Sequence, residues 1–178
     1  MLGLVAVTGA PAAGKSTLAP QLAEALNVRL ISKDLIKEAI AGTLGVGDES
    51  WSRMLGRASI DALLALAADV DTAVLEMYWR PQTVERLKAL DRPIVEVFCA
   101  CPPSLLIARA RQRETHRHPI HTIRQSQDHE WAYRDWAPIF GGPVVVVDTS
   151  GPTNSLAIAS AIRREFAKVP HGAQGAGQ

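Results

Sequence analysis

An α/β fold on a five-stranded parallel sheet is the architecture this sequence predicts, and three observations predict it. Short apolar runs rich in Val, Ile and Leu alternate with segments whose apolar residues recur at helical spacing. A glycine-rich turn separates the first such run from the first helical segment. No internal repeat or linker interrupts the alternation. The strands therefore belong to one parallel sheet, covered by helices on both faces in three layers.

Each element has its own reason. Leu4 to Thr8 (LVAVT) is a short β-rich run that stops at Gly9. From Lys15, Leu18, Leu22 and Leu26 fall four apart on one helical stripe. Val28–Ser32 (VRLIS) reads as a second strand, and DLIKEAIA as a helix ending at Gly42. GTLGVGDES (Gly42–Ser50) reads as a loop because of its glycines. Trp51 to Ala68 carries Met54, Leu55, Ile60, Leu63 and Leu64 and reads as a helix. TAVLEM (Thr72–Met77) is the third strand, with a helix from Pro81 through Leu90. PIVEVFCA (Pro93–Ala100) is the fourth strand. Helices are expected over Ser104–His116 and Thr122–Trp136. PVVVVD (Pro143–Asp148) is the fifth strand, and NSLAIASAIRREFA closes the fold as an amphipathic helix. One domain over residues 1–169 is expected, with 170–178 (PHGAQGAGQ) as a disordered tail.

Composition narrows the function. The 178 residues suit a single core, and 47% hydrophobic with 21% charged residues is an ordinary globular balance. A net charge of +1 provides no global field to recruit nucleic acid or a membrane surface, so such a partner would need a local basic patch. Cys99 and Cys101 are two apart in an apolar strand. They are expected to be buried strand residues, poorly placed to bridge each other. The apolar start, Met1 to Ala13, lacks the basic leading region of a signal peptide, and no apolar run reaches the ~20 residues of a membrane span. A cytoplasmic protein is expected.

Gly9-Ala10-Pro11-Ala12-Ala13-Gly14-Lys15-Ser16, followed by Thr17, satisfies G-x-x-x-x-G-K-[ST]. The pattern arises by chance in roughly 1% of chains this long, and here it also follows a strand and opens a helix. Glycines let backbone N–H groups close around phosphate oxygens, and the helix directs its positive end at them. Lys15 is expected to reach the β- and γ-phosphates and Ser16 to ligate Mg²⁺, so the expected ligands are ATP and Mg²⁺.

Other residues carry two readings each. After the second strand, either Ser32 or Asp34 caps the following helix with a side-chain oxygen, or Asp34 is a base for a substrate hydroxyl at the crevice of the sheet. Glu76, ending the third strand, is either a solvated acid or a group holding a Mg²⁺-bound water or substrate. Arg80 and Trp79 either grip a substrate or are an exposed arginine and a packed tryptophan. In RARQRETHRHPIHTIR, Arg109, Arg113 and Arg117 share a helical face. Such a one-signed stripe is either solvated or closes on an anion as a lid. His116, His118 and His121 lack a cysteine or carboxylate at zinc-ligand spacing. Trp131, Tyr133 and Trp136 either stack a ligand ring or pack helix on helix.

These residues together resemble the small P-loop kinases of the group that includes chloramphenicol phosphotransferase, zeta toxins and polynucleotide 5′-kinases. GAPAAGKST is similar to their phosphate loop, SKD to the position of their catalytic Asp, and RARQRETHRHP to their lid. VDTS (Val147–Ser150) is similar to the strand end near the adenine. The resemblance implies sheet order 2-3-1-4-5, a lid over about residues 104–124, Asp34 as base, and Arg109 with Arg113 or Arg117 on ATP. It implies phosphoryl transfer to a hydroxyl, but Gly42 to Arg57 matches no motif for shikimate, gluconate or a nucleoside monophosphate. The expected acceptor is a small molecule, an antibiotic or metabolite. A 5′-hydroxyl of nucleic acid is the alternative, favoured by the Arg/His segment and opposed by the near-zero charge. A nucleotide-dependent switch is the third reading, opposed by the position of Asp34.

Overall fold

The computed structural model describes residues 3–114, 118–121 and 130–169. Its strands are β1 (Leu4–Gly9), β2 (Arg29–Ser32), β3 (Ala73–Glu76), β4 (Ile94–Ala100) and β5 (Val144–Asp148). All pair in parallel, in the order β2-β3-β1-β4-β5. The register sets Ser32 level with Glu76 and Glu76 level with Val7. The carboxyl ends of β1, β2 and β3 therefore open on one edge, where open α/β sheets bind ligands.

Among the described residues, six helices pack around the sheet: α1 (Lys15–Leu26), α2 (Lys33–Leu44), α3 (Glu49–Asp69), α4 (Pro81–Lys88), α5 (Pro103–Glu114) and α6 (Ser155–Lys168). Alternation along β1 decides which face each meets. Val5 and Val7 are buried with Leu18 and Leu22 of α1 and Ile162 of α6. Leu4 and Ala6 are buried with Leu63 of α3 and Leu87 of α4 on the other face. A smaller cluster joins Ala41 of α2, Leu55 of α3 and Ile120. None of the helices in the described residues is long and apolar enough to cross a membrane.

Three boundaries differ from the sequence expectation. Helix α2 runs past Gly42 to Leu44 and ends at Gly45, whose φ of 85° turns the chain out of the helix while its N–H bonds the Ala41 carbonyl. A glycine only weakens a helix, by about 1 kcal/mol, whereas a left-handed residue ends it. Helix α3 starts at Glu49 because Asp48 caps it, accepting from the Trp51 N–H at 2.8 Å. Of the helix expected over Thr122–Trp136, 122–129 lie outside the described residues, and Glu130–Tyr133 form a single 3-10 turn. Pro138 disfavours helical geometry at Ala137, so no helix continues there.

Glu96 is an acid in mid-strand and only 1% exposed. Its Oε1 accepts from the Thr8 hydroxyl at 2.6 Å, and its carboxylate also accepts from the backbone N–H groups of Ile139 and Phe140 at 3.0 Å. This clamp seats Phe140 edge-on against Trp79, whose indole N–H bonds the Val7 carbonyl at 3.0 Å. Glu96→Ala strands three donors, each costing about 1–3 kcal/mol when left unpaired. The expected loss in urea unfolding is about 3 kcal/mol or more, against less than about 0.5 kcal/mol for Glu85→Ala on the surface. A loss for Glu96→Ala as small as that of Glu85→Ala would show that the loop is not held this way.

Candidate active site

The turn between β1 and α1 is held in an unusual backbone path. Gly9, Ala12 and Gly14 have φ of 126°, 61° and 89°. A Cβ on Gly9 would sit 2.6 Å from the Cys99 carbonyl oxygen, so glycine is required by space as well as by φ. Gly14 caps α1, and the Thr17 and Leu18 N–H groups bond its carbonyl. Ala13 is tied down from β5: the Thr149 hydroxyl lies 2.7 Å from the Ala13 carbonyl and 2.9 Å from that of Ala100. The result is a rigid loop with the N-terminus of a twelve-residue helix behind it.

Lys15 folds back over this loop. Its Nζ donates to the carbonyls of Gly9 at 2.9 Å and Ala10 at 2.7 Å, and the residue is buried. Burial holds the ammonium below its ordinary value of 10.5; Glu76 opposes the shift, and the charge of Arg113 on α5 reinforces it. The Arg113 side chain itself is exposed.

The neighbouring Ser16 points to β3. Its hydroxyl donates to Glu76 Oε1 at 3.1 Å, and the Ser32 hydroxyl donates to Oε2 at 2.7 Å. Glu76 is 4% exposed. Hydroxyl and carboxylate oxygens of this kind are the hard donors that Mg²⁺ takes. Ser32 occupies the N-cap of α2 but spends its hydroxyl on Glu76, so it makes no side-chain cap. Asp34 follows in the first turn, 2.9 Å from the Lys33 ammonium and about a third exposed.

A family model described as an AAA domain matches residues 4–131. The chain belongs to that AAA-domain family. A presumptive kinase from Chloroflexus aurantiacus j-10-fl shares 31% identity, with a TM-score of 0.83 over 92% of this chain and 98% of that one. The shikimate kinase from Acinetobacter baumannii, solved with shikimate, is similar at 16% identity and TM-score 0.59 over 94% of each chain. A gluconokinase from Sinorhizobium meliloti 1021 is similar at 19% and 0.58, over 93% of this chain and 92% of that one. At those two identities the fold is what is shared. None of the curated proteins matches the chain.

The remaining expected residues are dispersed around this AAA-domain cleft. Arg109 lies beside Gly14, its Nη2 donating to the Thr149 carbonyl at 2.8 Å and its Nη1 3.5 Å from Cys101 Sγ. Arg80 stands exposed at the N-cap of α4 with its guanidinium 5.7 Å from the centre of the Tyr78 ring. Tyr78 in turn meets Trp136 edge-on at 6.1 Å. Trp79, paired with Arg80 in the sequence reading, is a core residue. Arg117 and His116 lie outside the described residues. Cys99 is buried, which pushes its thiol up to about 12, and both cysteines are free.

Sequence reasoning missed the Ser32 hydroxyl on Glu76 and the Thr149 hydroxyl on Ala13, together with Lys37, Glu38 and the part played by His121. Lys37 is buried, its Nζ donating to Ser52 Oγ at 2.7 Å and to the Ile120 carbonyl at 3.1 Å. His121 is buried against α2, its Nε2 2.7 Å from Glu38 Oε1. The one available signal was DLIKE, which puts Asp34 and Glu38 one turn apart.

The depressed Lys15 has a pH consequence. Its folded-state value is lowered, so the native protein releases this proton at lower pH than the unfolded chain, and the stability cost of burying the charge fades as pH rises through that value. A polyphosphate pairs with the charged form only. Affinity for an ATP analogue, measured by calorimetry, is therefore expected to fall with rising pH before the ordinary lysine value of 10.5 is reached. Lys15→Met is expected to lack this limb. An affinity flat up to 10.5 in the parent would contradict the burial argument.

Proposed function

We propose that this protein is an ATP- and Mg²⁺-dependent kinase that transfers the γ-phosphate to a hydroxyl of a small molecule, an antibiotic or metabolite. The observation that carries the reading is the pair of hydrogen bonds on Glu76, which joins the phosphate loop, β2 and β3 at one edge with Asp34 two residues beyond Ser32. The family and the fold shared with solved kinases support the reaction class.

In this reading the loop residues Gly9, Ala12, Ala13 and Gly14 and the first-turn residue Thr17 surround the phosphate oxygens, and the N-terminal end of α1 favours the anion. Lys15 carries its ammonium to the β- and γ-phosphates. Ser16 and Glu76 would hold Mg²⁺, which neutralises charge on the phosphates when bound. Arg113 is the arginine for charge developing on the transferred group, with Arg109 and Arg117 beside the nucleotide in a lid spanning about residues 104–124. Asp34 orients the acceptor hydroxyl and takes its proton, while Glu76 and Arg80 contact the acceptor. In-line transfer then needs little beyond positioning and charge stabilisation.

ADP release from ATP and Mg²⁺ across a panel of hydroxyl compounds and 5′-hydroxyl oligonucleotides is the direct assay. Lys15→Ala is expected to lower turnover by about 10²-fold or more. Asp34→Asn keeps the side chain's size, so it is expected to fold, to lower transfer by about 10²–10⁴-fold, and to change nucleotide affinity by less than about threefold, roughly 0.65 kcal/mol. If Asp34→Asn lost stability and kept its turnover per folded molecule, Asp34 would be a helix-end acid and not the base.

A further inference from the structure

We propose that His121 is a positioning residue for Asp34, and that the strap His118–His121 carries it onto α2; this rests on the reading of Asp34 as the base. Three features of the strap lead there.

The first is the helix face it covers. Asp34 and Glu38 are one turn apart on α2, and two carboxylates at that spacing repel. The His121 ring stands against both. Its Nε2 is 2.7 Å from Glu38 Oε1, and its Nδ1 is 3.9 Å from Asp34 Oδ1. Lys33 pairs with the same Oδ1 at 2.9 Å. The Lys33 ammonium pairs with that oxygen and the imidazole packs 3.9 Å from it, so the two together limit where Asp34 can turn. Glu38 fixes the ring from behind, as a carboxylate orients a histidine in metal sites and catalytic triads.

The second is how firmly the ring is placed. Ile120 is fully buried in the cluster with Ala41 and Leu55. Its carbonyl accepts from Lys37 Nζ at 3.1 Å and from Ser52 Oγ at 2.6 Å, and Lys37 also bonds Ser52 at 2.7 Å. A buried ammonium and a buried hydroxyl on one backbone carbonyl fix the residue next to His121. The strap bonds itself as well: the Ile120 N–H donates to His118 Nδ1 at 3.2 Å, and the His118 and His121 rings meet edge-on at 6.3 Å. On α3, the charged Glu49 and Arg53 pair with each other at 3.0 Å, and Ser52 is what reaches the strap.

The third is where the strap comes from. It follows α5 in the chain, the helix whose Arg109 lies beside Gly14. One stretch of chain thus runs from the phosphate loop to the base. A positioning role makes Asp34 depend on that stretch, whereas a lone acid on α2 would not.

The test uses full-length protein with ATP, Mg²⁺ and water as acceptor, read as ADP release per folded molecule. His121→Ala is expected to lower kcat by about tenfold, since small displacements of a catalytic group cost up to about 10²-fold, with KM for ATP changed less than about threefold. His121→Gln keeps a donor for Glu38 and is expected to recover part of that loss. Combining His121→Ala with Asp34→Asn is expected to be no slower than Asp34→Asn alone, as for groups acting as a unit. Loss of stability with kcat unchanged, or losses that multiply in the double variant, would overturn the proposal. A second readout needs no turnover: the ¹⁵N resonances of the His121 imidazole should move in Asp34→Asn, and unmoved resonances would also overturn it. A parent protein that shows this coupling yet never releases ADP would refute the kinase reading and leave the contact between His121 and Asp34 standing.

Discussion

A carboxylate buried at the edge of a sheet must be matched by donors or by a cation, and Glu76 is the point where this protein meets that demand. Two hydroxyls meet it, one from α1 and one from β2, and they arrive from different elements. Satisfying one acid therefore fixes the start of the helix behind the phosphate loop and the start of α2 relative to β3. Lys15, Ser16 and Asp34 inherit their positions from that arrangement. The loop adds its own constraint at Gly9, where the Cys99 carbonyl leaves no room for a side chain.

Opposite faces of the sheet hold the two main clusters, the first of which reaches Ala10 and Ala13 of the loop. Their role is to keep β1, β2 and β3 in register, so that Ser32, Glu76 and Val7 lie level. Glu96 does similar work on the face of α3 and α4, holding Ile139 and Phe140 by their backbone N–H groups. The protein thus uses two buried acids in different ways. Glu96 accepts from one hydroxyl and two backbone N–H groups, whereas Glu76 accepts from two hydroxyls at the carboxyl edge of the sheet, where a cation could join it.

The fold was legible because its signals are local. Strand runs, the Leu18–Leu22–Leu26 stripe and the glycine turn each lie within a few residues, and the order of the sheet followed from the resemblance those motifs carry. The phosphate loop was legible for the same reason. Asp34 and Glu76 could be singled out by their places at strand ends, but the hydroxyls around Glu76 could not, since Ser16 and Ser32 are 60 and 44 residues away from it in sequence. The Lys37–Ser52–Ile120 knot and the His121–Glu38 contact are tertiary in the same sense, spanning up to 83 residues. Helix ends were misread where a single backbone angle decides, as at Gly45, because Gly42 carries the same letter without the same φ.

On the proposed reading, Ser16 and Glu76 form a metal-dependent nucleotide site and not merely a structural hydrogen bond. The affinity of a non-hydrolysable ATP analogue, titrated with and without Mg²⁺ in the parent and in Glu76→Gln, tests it most directly. Glutamine keeps an acceptor for Ser16 but loses the charge that would draw a cation. Mg²⁺ is expected to tighten binding in the parent and most of this gain to disappear in Glu76→Gln, while metal-free affinity stays nearly the same. An equal gain in both proteins would contradict that reading.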